Sequence, residues 1–243
     1  MKEDIVIKFK DVCKSYDDNP ILNNFNLEVS KGEFLTIIGS SGCGKTTVLK
    51  LTNGLLEPSE GNIFIQGEDI SRLDQIKLRR NIGYVIQGVG LFPHMNIEKN
   101  ISYVPKLINN KNKSEIKDKV HELIKIVGMT EDMLDRYPSE LSGGQRQRVG
   151  IARALAASPK ILLMDEPFGA VDEITRKLLQ EEILRIHKEF NMTIVFITHD
   201  IKEALKLGTR VIVMDKGEIV QSGTPKEVKE NPKTEFVKEL IGA

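Results

Sequence analysis

The stretch "GSSGCGKTT", Gly39 to Thr47, closes the apolar run "EFLTIIG" and opens "KTTVLKLTNGL". It fits G-x-x-x-x-G-K-[ST], in which glycines admit an anion close to the backbone and N–H groups at a helix start cradle phosphate. Strand, glycine-rich turn and helix must therefore follow one another. That order belongs to an α/β fold that binds ligand at the carboxyl edge of a sheet. Lys45 is expected at the β- and γ-phosphates of a nucleotide and the Thr46 hydroxyl at Mg²⁺. Gly39, Ser40, Ser41, Gly42, Cys43, Gly44 and Thr47 make up the rest of the cradle. Cys43, beside Lys45, is also a candidate for alkylation that nucleotide would prevent.

The remaining pattern agrees with that class. "ILLMD" (Ile161 to Asp165) and "TIVFIT" (Thr193 to Thr198) are short continuous apolar runs, as strands buried on both faces of a parallel sheet read. Ile116, Val120, Leu123 and Val127 predict one helix face, and Leu179, Ile183, Ile186 and Phe190 another. "DIVIKFKDVCKSY", "NFNLEVS" and "NIFIQG" read as antiparallel β-structure. The expected architecture is one unit over residues 1–243, with a mainly parallel core sheet. An N-terminal antiparallel β subdomain and a helical insert at about 96–158 complete it.

Two further stretches carry chemistry. "ILLMDEP" ends a buried strand in two carboxylates at the ligand edge. There Asp165 suits Mg²⁺ through its water shell and Glu166 suits an attacking water. "LSGGQRQR" opens a predicted helix, "GQRQRVGIARALAAS", with two glycines, which cost a helix roughly 1 kcal/mol each against alanine. Ser142 and the N–H groups of Gly143 and Gly144 would form an anion site at a helix start. The glycines then exchange helix stability for close approach to a ligand.

In that order the phosphate loop, "LSGGQRQR", "LLMDEP" and "ITHD" resemble the nucleotide-binding subunits of ATP-binding cassette (ABC) transporters over nearly the whole chain. The resemblance implies a P-loop NTPase core with a helical signature subdomain, ATP and Mg²⁺ as cofactors, and ATP hydrolysis. It implies that Ser142, Gly143, Gly144 and Gln145 of one subunit cover the ATP held by the phosphate loop of another. By the same resemblance Tyr16 stacks on adenine and Gln87 senses Mg²⁺ and the attacking water. His199 contacts the γ-phosphate, and Asp172 couples the two sites while also capping the helix that follows. His94, His121 and His187 are expected at the surface.

"VIQGVGLFPHMNIEKNI", "DEPFGAVDEITRKLLQEEI" and "THDIKEALKLGTRVIVMDKGEIVQSGTP" look most like ATPases of importers for quaternary-amine osmoprotectants such as glycine betaine, choline and carnitine. Such an ATPase implies a second ATPase subunit, transmembrane permease subunits and an extracellular or periplasmic solute-binding protein. Its place would be peripheral, at the cytoplasmic face of the membrane. Leu91, Phe92 and Met95 are the expected docking residues for the permease. The sequence departs from close relatives of this kind at Gly88, where many have a second glutamine. It also stops at Ala243, so a C-terminal pair of cystathionine-β-synthase-like regulatory modules is not expected.

Other classes fit less well. Lys+Arg and Asp+Glu are both 35, a balance that argues against a nucleic-acid partner. DNA-repair and chromosome-organising ATPases insert long coiled coils, and 100–140 carries no sustained heptads. An importer ATPase for another solute, such as an amino acid, and a stand-alone cytosolic assembly ATPase remain as alternatives. "MKEDIVIKFK" lacks the apolar stretch of a secretory signal, there is no run of about 18 apolar residues to span a bilayer, and two cysteines provide no disulfide framework.

Overall fold

The structure, a computed structural model, describes residues 4–17, 19–108 and 112–242. Met1 to Glu3 of the quoted start and Asp18 of "CKSYDD" lie outside them. The chain forms two compact units, one of residues 1–79 and 191–243, the other of 80–190. In chain order the first unit holds β1 (Ile5–Tyr16), β2 (Asn19–Ser30), β3 (Phe34–Gly39), α1 (Lys45–Thr52), β4 (Glu60–Ile65) and β5 (Glu68–Asp69). Helix α2 (Gln75–Asn81) spans the boundary. The second unit holds β6 (Ile82–Val85), α3 (Ile97–Leu107), α4 (Lys113–Ile126), α5 (Gly143–Leu155), β7 (Ile161–Asp165) and α6 (Glu173–Phe190). The chain then re-enters the first unit as β8 (Thr193–Ile197), α7 (Ile201–Leu207), β9 (Arg210–Asp215), β10 (Glu218–Gly223), α8 (Pro225–Glu230) and α9 (Glu235–Ile241).

In the first unit, β2, β1, β4 and β5 make an antiparallel sheet in that order, the β-rich edge expected of the N-terminal segments. Burial alternates along β2 from Phe25 to Val29, and Phe9 of β1 meets Phe25 edge to face at 5.5 Å. β3 runs parallel to both β8 and β9, while β10 returns antiparallel to β9. All five residues of β8 and the first five of β3 are buried, which is why these runs carry no polar alternation. Ile38, Val211 and Val213 pack with Ala204, Val228 and Val237 from the helices on one face.

In the second unit, β6 and β7 pair in parallel. Its helices start where the sequence supplies acceptors for their free N–H groups. The Asn96 side chain accepts from the Lys99 N–H at 3.0 Å, and Asn112 serves α4 likewise. Ile116, Val120, Leu123 and Val127 are all buried, as the four-three-four spacing predicts. On α6, Leu179, Ile183 and Ile186 are buried, but Phe190 is 58% exposed. It sits at the last residue of the helix, under the Lys119 ammonium at 6.0 Å from the ring centroid. His187 also departs from expectation, since it is only 9% exposed. His94 is exposed, and the half-exposed His121 pairs with Glu131 at 2.9 Å.

Candidate functional site

The phosphate loop lies between β3 and α1 in the first unit. Gly39, Gly42 and Gly44 have φ of 151°, 78° and 100°, conformations that L side chains resist. A Cβ on Gly39 would fall 2.0 Å from the Met214 carbonyl oxygen, whereas one on Gly42 would meet nothing within 4 Å. The Lys45 ammonium donates to the carbonyls of Gly39 at 2.9 Å and Ser40 at 2.8 Å. The Ser40 hydroxyl donates to Asp215 at 2.9 Å. Helix α1 begins after Gly44 at its N-cap position, with no side-chain cap and no acidic residue in its first turn. Its leading N–H groups, with the positive end of the helix dipole, thus face no side-chain anion of their own helix. Cys43 lies in this loop with its sulfur 3.8 Å from the Lys45 nitrogen, but it is only 4% exposed. That burial restricts the alkylation expected of it.

Tyr16 ends β1, 43% exposed, with the Lys14 ammonium 5.4 Å from its ring centroid. His199 is exposed two residues after the end of β8. Its two neighbours are pinned. The Thr198 hydroxyl donates to Glu203 at 2.7 Å and accepts from the Asp200 N–H at 3.0 Å. The Asp200 carboxylate in turn caps α7 through the Lys202 and Glu203 N–H groups.

In the second unit β7 ends at Asp165, which is 2% exposed. Glu166 follows with φ 46°, a left-handed conformation costing a non-glycine residue of order 1–3 kcal/mol and concentrated at functional sites. That turn brings its carboxylate within reach of Gln87, whose Nε2 donates to Oε2 at 3.3 Å. Tyr84, on β6 two positions before Ile86, has its phenol pKa pushed up by burial and then by the negative charge of Asp165. Among the described residues no three His, Cys, Asp or Glu side chains gather as a metal cage. Mg²⁺ in nucleotide sites takes one or two protein oxygens and fills its shell with phosphate and water.

The signature helix α5 begins with a capping box. The Ser142 hydroxyl accepts from the Gln145 N–H at 3.2 Å, and the Gln145 side chain accepts from the Ser142 N–H at 2.8 Å. Its glycines differ in what they serve. A Cβ on Gly144 would lie 2.8 Å from the Ala170 carbonyl oxygen, but one on Gly143 would meet nothing nearer than 3.9 Å. Packing inside this unit therefore accounts for Gly144, and only Gly143 is left to the ligand argument. Gly143→Ala should melt at or above the parent temperature, because alanine recovers about 1 kcal/mol of helix propensity. Gly144→Ala should lose roughly 1–3 kcal/mol to overpacking. Thermal denaturation separates the two, and a Gly143→Ala protein that melts well below the parent would overturn the distinction. Asp172 accepts from the Thr175 N–H at 3.0 Å at the start of α6. That bond, ahead of the nearby Arg148 charge, holds its pKa below the ordinary carboxylate value.

The segment after Gln87 is not a free apolar surface. Leu91, Phe92 and Met95 are half-buried. The Phe92 ring lies 4.8 Å from that of Tyr103, and the Arg153 guanidinium 5.9 Å from Phe92. Asn100, fully buried, accepts from the Phe92 N–H at 2.8 Å and donates to the Phe92 carbonyl at 3.1 Å. Phe92 thus has packing partners within its own unit while it stays half-buried. Sequence reasoning passed over Asn100 and Arg153. Both left a signal: Asn100 shares a helical face with Ile97 and Ile101, and Arg153 interrupts the small, apolar run "GIARALAA".

The sequence profile of the ABC transporter family matches residues 22–169, and the chain belongs to that family. It is 54% identical over 238 residues to the glycine betaine/carnitine/choline transport ATP-binding protein OpuCA of Bacillus subtilis, covering 98% of this chain and 62% of the relative. The chain thus spans about three fifths of the length of the first curated relatives it matches. The glycine betaine uptake system ATP-binding protein YehX of Escherichia coli is 46% identical over 98% of this chain and 77% of its own. Among solved structures, a dimeric ATP-binding cassette in a post-hydrolysis state, bound to ADP and Pi, superposes with a TM-score of 0.85 at 34% identity. That match covers 90% of this chain and 98% of the other. No helix among the described residues is long and apolar enough to cross a membrane.

Proposed function

We propose that this chain is the ATP-hydrolysing, energy-coupling subunit of an ABC importer for quaternary-amine osmoprotectants. The observation that carries the enzymatic part is the Gln87–Glu166 pair at 3.3 Å beside the buried Asp165. The choice of solute rests on the transport and uptake ATP-binding proteins named for glycine betaine, carnitine and choline that are 46–54% identical over nearly the whole chain.

ATP fits the first unit on its own chemistry: an uncapped helix start, left-handed glycines and an ammonium among the loop carbonyls. The N–H groups from Gly39 to Thr47 hold the phosphates, Lys45 answers their charge and Tyr16 stacks on the base. When bound, Mg²⁺ would neutralise charge on the phosphates, held by Thr46 and Gln87 and, through its water shell, by Asp165. Glu166 polarises the attacking water, and Gln87 orients it. His199 contacts the γ-phosphate, and Asp172 links the two sites of a dimer. Ser142, Gly143 and Gln145 act on the nucleotide of a second subunit, in the simplest case a second copy of this chain, with Gly144 letting the signature helix pack closely against Ala170. Catalysis here is positioning and charge stabilisation, as phosphoryl transfer generally requires. The complex adds permease subunits and a solute-binding protein, with this subunit peripheral at the cytoplasmic face.

The decisive experiment is solute uptake by the complex reconstituted with its permease in ATP-loaded vesicles. Glycine betaine, choline or carnitine should accumulate and an amino acid should not. Uptake of the amino acid alone would overturn the choice of solute. ATP hydrolysis without any membrane partner that copurifies would favour the assembly-ATPase alternative.

A further inference from the structure

The backbone after Gln87 passes through three consecutive left-handed residues, Gly88 at φ 81°, Val89 at 72° and Gly90 at 51°. Glycine adopts such angles freely, but a β-branched residue does not. Strain of this kind persists only where the surroundings over-determine it. Two backbone bonds close the turn itself, Val89 N–H to the Ile86 carbonyl at 3.3 Å and Gly90 N–H to the Gly88 carbonyl at 2.9 Å, and one side chain of the signature helix grips it from outside. Arg153 donates through Nη1 to the Gly90 carbonyl at 2.7 Å and through Nη2 to the Val89 carbonyl at 2.9 Å. The same guanidinium lies over the Phe92 ring, and Asn100 bonds both the N–H and the carbonyl of Phe92. Across α5, a Cβ placed on Gly150 would come within 3.3 Å of a Val89 methyl, so the helix surface is cut away where the strained residue sits. The planar fork suits this task because two donors in fixed geometry meet two successive carbonyls.

We propose that Arg153 is a positioning residue for hydrolysis. By gripping the carbonyls of Val89 and Gly90 it holds the left-handed turn closed, and the turn keeps the Gln87 amide against the Glu166 carboxylate. The inference rests on the reading of Gln87 and Glu166 as the hydrolytic pair. It adds a residue on the signature helix that sets their geometry without touching nucleotide. An ammonium at this position keeps the charge and most of the stem but loses the rigid two-carbonyl fork.

The test is steady-state ATP hydrolysis by the full chain, with thermal denaturation and amide hydrogen exchange alongside. Arg153→Lys should lower kcat roughly 10- to 100-fold, as misplacement of a catalytic group does. KM for ATP and the melting temperature should stay near the parent, and exchange should quicken at 88–91. Val89→Gly removes the strain that Arg153 opposes, so Val89→Gly/Arg153→Lys should recover much of the lost kcat. A merely structural arginine would show a kcat loss that tracks the melting temperature and no recovery in the double variant, and that result overturns the proposal. Parent kcat in Arg153→Lys, with Glu166→Gln inactive, overturns it while leaving the proposed function intact. Parent turnover in Glu166→Gln removes the hydrolytic pair itself, and the positioning role falls with it.

Discussion

Glu166→Gln should bind Mg·ATP as the parent does and hydrolyse it about 10²–10⁴-fold more slowly, the usual cost of removing one general base. The substitution preserves shape and one acceptor oxygen but removes the charge that polarises water. The strained turn at φ 46° and the 3.3 Å contact with Gln87 place that carboxylate in one orientation, so the amide should occupy the same place without the same chemistry. With hydrolysis blocked, ATP should stay between Lys45 of one subunit and Ser142 of the other, and an ATP-dependent dimer should accumulate. Ser142→Arg in the same background should abolish the dimer. A bulky cation would intrude on the facing phosphate site and break the capping box with Gln145. Light scattering with and without Mg·ATP reads the outcome. A dimer indifferent to Ser142→Arg would remove the shared-site reading.

Gly39→Ala should be the most damaging glycine substitution in the phosphate loop. Gly39 pairs with Met214 at the end of β3, and a methyl there would overlap the Met214 carbonyl oxygen at 2.0 Å. That oxygen belongs to backbone inside a sheet, so it cannot swing aside as a flexible side chain would. Overpacking and a φ of 151° together should cost roughly 2–5 kcal/mol, and the loop that must hold phosphate would be displaced. Gly42→Ala is the control. It meets open space, so only its left-handed φ of 78° is penalised, by roughly 1–2 kcal/mol. Urea unfolding of the two variants should place Gly39→Ala clearly below Gly42→Ala. Equal midpoints would mean that the Met214 contact yields at no cost.

The parts of this protein legible from its residues alone are those whose chemistry is local. A phosphate loop works through successive backbone N–H groups, so glycine spacing, lysine and helix start all fall within Gly39 to Thr47. Strands buried on both faces announce themselves as "FLTII" and "ILLMD" for the same reason, since burial on both sides leaves no room for polar alternation. The four-three-four rhythm of α4 marked a face that is indeed buried from Ile116 to Val127.

Other properties depended on where distant segments end, and only the tertiary structure decided them. Phe190 continues the apolar rhythm of α6 yet stands exposed at its last residue, while His187, three residues earlier, is covered. Periodicity reports a direction around a helix axis but not the length of what packs against it. The apolar look of "LFPHM" gave no sign that Asn100 and Tyr103 of α3 and Arg153 of α5 would hold Phe92 in place. The two glycines of "LSGGQ" look equivalent in sequence, but the Ala170 carbonyl stands over Gly144 and not over Gly143. Residue type states which contacts are possible; which of them are made depends on the neighbours that folding brings up from far along the chain.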